Sequence, residues 1–329
     1  MDSFYAWQIQ IIQFMQSLGS WLDLPFKTIT FLGNEQFYLL IAPALYWCIN
    51  AAAGLRMGIF LGITSSLNTY IKFLFHAPRP YWITTQVHAL VPENSFGLPS
   101  GHAQNGIMVF GSLYGTYRLR WVLPLVAGIA LLVGLSRVYL AVHFTTDVLA
   151  GWLIGAVLLW ASLKVEPMLI GWFKQRSQVS QYLIILATSL GIIFLGWLIR
   201  LLFSAWVLPA EWVLNASSAF PEEPPLDPFR LSGLVTAAGS FLGLTSGAVY
   251  LANRGGWSTQ GSPMQLAARY IIGVVGVLVI YIGLDLLFPD GEDLVAFCFR
   301  YIRYALVGLW VSALAPLIFR RIRLAVNLP

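Results

Sequence analysis

Residues 121–165 read WVLPLVAGIALLVGLSRVYLAVHFTTDVLAGWLIGAVLLWASLKV. Two apolar runs, at about 121–142 and 147–165, each approach the roughly 20 residues a helix needs to cross a hydrocarbon core. They meet at a short segment that carries Arg137, His143 and Asp147. A bilayer protein avoids ionisable groups unless they have work to do, so this junction marks both the fold and a candidate site.

The same reading extends outward along the chain. Further apolar stretches lie at about 37–52, 57–75, 100–118, 181–205, 231–252, 266–287 and 299–319, which predicts an all-α polytopic transmembrane bundle of about nine spans. Composition agrees: 58% of the 329 residues are hydrophobic and 10% charged, whereas a soluble globule carries about 25% charged residues. The 29 glycines and 13 tryptophans suit close helix packing and headgroup-level anchoring. Residues 4–22 set Phe4, Trp7, Ile11, Phe14, Leu18 and Leu22 against Gln8, Gln10, Gln13 and Gln16, the pattern of an amphipathic interfacial helix. The N-terminus has neither the basic region nor the cleavage site of a secretory signal. Cys48 and Cys298 have no metal-ligand spacing and read as buried apolar fillers.

A net charge of +5 is too modest to point to a nucleic-acid partner, and the placement of the charges matters more than their sum. With the N-terminus outside, the inward loops and span ends hold Arg56, Arg118, Arg120, Lys164, Lys174, Arg176, Arg254, Arg269, Arg320, Arg321 and Arg323. The opposite face takes nearly all the acids, including Glu222, Glu223 and Asp227 and the group Asp290, Glu292 and Asp293, and only Glu166 falls inside. The expected arrangement is N-terminus out and C-terminus cytoplasmic. The one break in composition, PEEPPLDP at 221–228, marks a seam. The expected division is an N-terminal interfacial segment over 1–34, a catalytic membrane core over 35–208, and a C-terminal extension of three spans over 209–329.

Three clusters of ionisable residues share the predicted outward face. In the first, Lys72 and Arg79 stand seven residues apart before Pro80, and a lysine at a helix end is also explained by snorkelling. The second is Pro99-Ser100-Gly101-His102. There Ser100 suits an N-cap, Gly101 permits close backbone approach, and free N–H groups face an anion, although a capped helix start looks the same. The third runs from Ser136-Arg137 to His143 and Asp147. On a continuous helix the last two would share a face, with the carboxylate holding one ring nitrogen, and a structural pair would look alike. Jointly the clusters supply three permanent cations, a backbone anion site and two histidines, the groups that phosphoryl transfer needs without a metal. There is no Walker loop, HExxH or carboxylate cluster for metals.

The patterns KxxxxxxRP, PSGH and SRxxxxxHxxxD, in this order over about residues 35–165, resemble the three signatures of the type 2 phosphatidic-acid phosphatase and vanadium-haloperoxidase superfamily. That resemblance implies His143 as the nucleophile forming a phosphohistidine, Asp147 as its orienting acid, and His102 as the leaving-group acid. Lys72, Arg79, Ser100, the Gly101 N–H and Arg137 would bind phosphoryl oxygens, with no cofactor and no metal. FLGNEQFY before the first span is similar to sphingosine-1-phosphate phosphatases, and Arg79-Pro80-Tyr81-Trp82 together with the span count is similar to glucose-6-phosphatases. The first expectation is a lipid phosphate or polyprenyl diphosphate entering from the outer leaflet, with a sugar phosphate as the alternative. A vanadate-dependent oxidase is disfavoured by the absence of a soluble domain, and a transporter by charges that stay at helix ends. Gln104 and Asn105 are expected to bond neighbouring helices. Asn215-Ala-Ser217 fits a glycosylation acceptor, and His76 and His88 read as loop residues. Oligomeric state leaves no mark in the sequence.

Overall fold

The computed structural model describes residues 3–117, 119–289 and 291–325, apart from the side chain of Glu35. Arg118 and Asp290, which entered the charge pattern, lie outside the described residues. Among those described there are helices and no strands. In chain order the helices are α1 (Ser3–Ser17), α2 (Asp23–Phe31), α3 (Glu35–Ala44), α4 (Ala51–Phe75), α5 (Pro80–Ile83), α6 (Gly101–Tyr117) and α7 (Val122–Tyr139). There follow α8 (Thr145–Lys174), α9 (Gln178–Leu202), α10 (Ala210–Ala219), α11 (Ser232–Ala252), α12 (Pro263–Asp285), α13 (Leu294–Leu309) and α14 (Ala315–Arg321).

Each expected apolar stretch contains helix, but among the described residues six segments are long and apolar enough to cross a membrane unaided: α7, α8, α9, α11, α12, and α13 continued through α14. The expected nine is not reached by that measure. The stretch Gln36–Ile49 is short, α6 has 17 residues, and α4 gives up apolarity to Thr64, Ser65, Ser66, Asn68 and Thr69. These polar residues have partners inside the bundle. Asn68 donates to Gln104 Oε1 at 2.9 Å, Gln104 donates to Thr64 Oγ1 at 2.8 Å, and Asn105 donates to Ser65 Oγ at 3.3 Å. Gln104 and Asn105 therefore bond a neighbouring helix, as expected, and α4 and α6 are locked in register by hydrogen bonds.

The helices alternate in direction, so the C-terminal ends of α4 and α7 meet the N-terminal ends of α6 and α8 at one end of the bundle. At the other end Arg56 of α4 reaches Glu166 of α8 at 2.8 Å and Thr116 of α6 at 2.5 Å. Helices α6 and α8 approach closely because α8 presents glycine where they touch. A methyl group on Gly151 would stand 2.5 Å from the Ser100 carbonyl oxygen, and one on Gly155 would stand 2.6 Å from that of Gln104. Gly151→Ala is therefore expected to push α8 off the PSGH turn, at about 1–3 kcal/mol. A lower unfolding temperature in detergent together with reduced turnover would be seen. An unchanged midpoint would show that the contact yields freely.

In the C-terminal half, α11 uses Gly239, Gly243 and Gly247 to lie against α13 and the turn that follows it, where added methyls would meet Tyr301 O, Ala305 O and Ser312 Oγ within 2.5 Å. Two π-helical turns, Leu45–Ile49 and Trp310–Leu314, face one another. Carbonyls freed by the wider turn accept from Trp47 Nε1 (Val311 O, 2.8 Å) and Tyr46 Oη (Ser312 O, 2.9 Å). Asp285, the last residue of α12, pairs with Arg303 of α13. Cys298 is exposed on α13 and Cys48 is half-buried, so neither is the fully buried filler expected; helix rotation, which composition does not encode, decides this.

The polar face of α1 meets protein. Gln8 is buried and accepts from the Thr146 N–H and hydroxyl at 3.0 Å, while Gln16 donates to the His88 and Tyr139 carbonyls at 2.7 and 2.9 Å. Phe4, Trp7, Phe14 and Leu18 are exposed, an apolar face of the kind that lies in a membrane interface. Asn215 donates to the Trp82 carbonyl at 2.9 Å from within α10, so the amide that glycosylation would use is already committed to the fold.

Candidate active site

Helix α4 ends at Phe75, with His76 in the left-handed region at φ 48°, and the chain turns through Arg79 into the short α5. Lys72, one turn before that end, donates to Ser95 Oγ at 2.8 Å. Arg79 is fully buried, and its fork is spread over several acceptors. Nε donates to Ser95 O at 2.6 Å, Nη1 to Val142 O at 2.7 Å, and Nη2 to Ser95 Oγ at 3.0 Å. Ser95 thus holds two cations together, and no signature includes it.

Helix α7 stops at Tyr139, and Ala141 takes the left-handed conformation, φ 56°, the usual means of ending a helix and satisfying its last carbonyls. The chain re-enters helix at Thr145. His143 and Asp147 therefore do not sit on one continuous helix face as the spacing suggested. Asp147 lies in the first turn of α8 and reaches back, accepting from the Phe144 N–H at 3.0 Å and lying 3.3 Å from His143 Nδ1. The pairing survives because a first-turn carboxylate is where free N–H groups need one.

The other ring nitrogen, His143 Nε2, is 3.2 Å from Arg79 Nη1. A guanidinium only donates, so Nε2 presents its lone pair and Nδ1 carries the proton towards Asp147. Burial, then Arg79, Arg137 and Lys72, hold the His143 pKa well below the ordinary histidine value. The imidazole is neutral.

Ser100 directly precedes α6. Its N–H donates to the Asp147 carbonyl at 2.9 Å, which ties the PSGH turn to α8. Its hydroxyl does not cap the helix as expected; Ser100 Oγ is buried without a partner among the described residues, as is Arg137 Nε. The first N–H groups of α6, Gly101 among them, lack acceptors by the nature of a helix start. Arg137 donates through Nη1 to Thr30 at 2.9 Å and through Nη2 to Glu93. His102 Nε2 lies 2.7 Å from Asn34 Oδ1, so its ring is oriented by a neutral amide.

Lys72, Arg79, Arg137, His143 and Asp147 therefore converge, with Ser100 and Gly101 at the helix start beside them and His102 held from the segment before α3. Sequence reasoning missed Ser95, Glu93, Thr30 and Asn34. Of these only Glu93 carried a signal, as an acid midway between two basic clusters. His76 is a loop residue as expected, stacked 4.9 Å from Trp206 within an aromatic cluster that includes Phe96 and Phe229.

A cationic pocket lined by a neutral, carboxylate-backed histidine, set at one end of a helical membrane bundle, belongs to the class of membrane phosphatases. Comparison with known proteins narrows the class. The family model described as the PAP2 superfamily matches residues 53–171, and that of the PAP2 superfamily phosphatase transmembrane extension matches residues 235–327. Glucose-6-phosphatase 3 of Bos taurus is 32% identical over 273 residues, covering 74% of this chain and 75% of that protein. Phosphatidylglycerophosphatase B of Bacillus subtilis is 36% identical over 153 residues, 42% of this chain and 72% of that protein. Sphingosine-1-phosphate phosphatase 1 of Mus musculus is 33% identical over 140 residues, 40% of this chain and 32% of that protein. The chain belongs to the PAP2 superfamily and is an integral membrane phosphatase.

Proposed function

We propose that the protein hydrolyses phosphate esters through a phosphohistidine at His143, on the extracytoplasmic face, with charge neutralised by side chains. The observation that carries this reading is the His143 ring itself, its Nε2 lone pair 3.2 Å from Arg79 and its Nδ1 facing Asp147. Lys72, Arg79 and Arg137 grip the phosphoryl oxygens, joined by the uncommitted Ser100 hydroxyl and the Gly101 N–H. His143 attacks phosphorus, and His102 gives its proton to the departing oxygen, then takes one from the water that cleaves the phosphoenzyme. The two histidines differ in their partners: the Asp147 carboxyl faces His143 Nδ1 and leaves Nε2 to present a lone pair, whereas His102 Nε2 is held by the neutral amide of Asn34. That difference supports His143 as nucleophile and His102 as acid. The distribution of basic residues supports the outward placement of the site and a cytoplasmic C-terminus.

For the leaving group, a compact polar ester such as a sugar phosphate is the better supported class. The likeness to glucose-6-phosphatase 3 spans 74% of the chain, and a cavity of about 230 Å³ reaches Glu93, the partner of Arg79 and Arg137, with Tyr81, Asn94, Ser217 and Glu223 as well as apolar side chains in its lining. The lipid phosphate or polyprenyl diphosphate favoured by the sequence is the second reading, supported by the apolar outward face of α1. Residues 209–329 are proposed as an extension that walls the substrate cavity through α10. Brief exposure to ³²P-labelled glucose 6-phosphate and, separately, to labelled phosphatidic acid tests both points. The expected result is an acid-labile, alkali-stable label at His143 that forms faster from the sugar phosphate. A label elsewhere, or none during turnover, overturns the phosphohistidine.

A further inference from the structure

Glu93 lies in the loop between α5 and α6. Its carboxylate straddles the cation cluster, with Oε1 on Arg137 Nη2 and Oε2 3.3 Å from Arg79 Nη2. Burial would favour the protonated form, but Arg79 and Arg137 outweigh it and hold the carboxyl well below the usual carboxylate range. These are the guanidiniums assigned above to phosphoryl oxygens. Glu93 and a phosphoryl group therefore compete for the same donors.

The main chain of Glu93 is fixed. Tyr81 Oη donates to its carbonyl at 2.8 Å and accepts from its N–H at 3.1 Å, while the next residue, Asn94, accepts from the Asp227 N–H at 2.6 Å. The side chain has somewhere to go, for it is 24% exposed and itself borders the 230 Å³ cavity. The far wall of that cavity comes from the C-terminal half, through Ser217, Phe220 and Glu223. It is walled by hydroxyls, an amide and a carboxylate as well as by apolar side chains, and Lys72, Arg79 and Arg137 are not among its lining.

We propose that Glu93 is a displaceable counter-ion that sets specificity: the phosphoryl group takes Arg79 and Arg137 from it, and the carboxylate turns into the adjoining cavity to accept hydrogen bonds from hydroxyls of a compact polyol leaving group. This rests on the phosphate-ester reading above and adds the reason for its selectivity. Displacing an anion from two guanidiniums gives up charge-assisted bonds. A leaving group with hydroxyl donors restores them, whereas an alkyl group leaves a carboxylate unpaired beside a phosphoryl dianion. Sites built to pair polar groups reject analogues that lack them far more strongly than apolar pockets reject extra bulk.

The test is Glu93→Gln in the full chain, with orthophosphate binding read calorimetrically and kcat/KM compared for glucose 6-phosphate and n-hexyl phosphate. The variant keeps the shape and removes the charge. Orthophosphate is expected to bind about tenfold more tightly, and the preference of the wild type for the sugar phosphate is expected to fall roughly a hundredfold. Ser217→Val, on the far wall, should erode the same preference while leaving orthophosphate affinity unchanged. Unchanged orthophosphate binding in Glu93→Gln overturns displacement. Tighter binding with unchanged preference, or a wild type that prefers hexyl phosphate, overturns the leaving-group role. Orthophosphate binding needs no covalent step, so failure to trap a phosphohistidine would count against the nucleophile alone.

Discussion

Replacing His143 by alanine is expected to lower kcat/KM for any phosphate ester by at least about 10⁴-fold, roughly 5 kcal/mol of transition-state stabilisation. The size follows from the role, since a removed nucleophile leaves only the binding and electrostatic contributions of its neighbours. Alanine removes the ring that Arg79 and Asp147 hold from opposite sides, so the two charged partners stay and only the attacking atom is lost. Released phosphate measured on protein of unchanged detergent stability is the check; turnover within tenfold of wild type would refute the assignment. The same geometry fixes a sign in the pH profile. The His143 pKa is depressed in the free enzyme, so the neutral, nucleophilic form persists as pH falls through the ordinary histidine range. kcat/KM, which reports free enzyme and free substrate, should then fall on the acid side only with the substrate's own second ionisation, about pH 6.

The second large effect is expected at Arg79. Arg79→Lys should cost about 10³-fold in kcat/KM, comparable with loss of a principal transition-state donor. Lysine keeps the charge but not the fork: it has one nitrogen where Arg79 uses three to reach Ser95, Val142 and His143. The Ser95 and Val142 carbonyls would lose their donor, so unfolding in detergent should also come earlier. Arg79→Lys and Arg79→Ala are expected to be almost equally impaired. If the lysine variant recovers most activity, net charge and not planar geometry is what the site requires.

The cations and histidines were legible because permanent charge at helix ends is rare in so apolar a chain, and each rarity stood at a helix start or stop. Their bonding was legible only in part. His143 and Asp147 were paired from a four-residue spacing, yet the helix breaks at Ala141 and the pair forms by reach-back from a new first turn. Ser95, Thr30 and Asn34 are ordinary polar residues in loops and at a helix end, and only three-dimensional proximity distinguishes them. Glu93 looked like one acid among many on an acidic face. The count of spans suffered for a related reason: α4 and α6 surround the site and exchange apolarity for side chains that hold it. The polar face of α1 was visible, but not that protein, rather than water, meets it.

The bond from the Ser100 N–H to the Asp147 carbonyl crosses from α6 to α8 at the site end, just where Gly151 lets the two backbones touch. The turn that opens α6 and the first turn of α8, which carries the carboxyl facing His143, are thus joined through the main chain itself, so that a shift of either helix at this end draws the other with it.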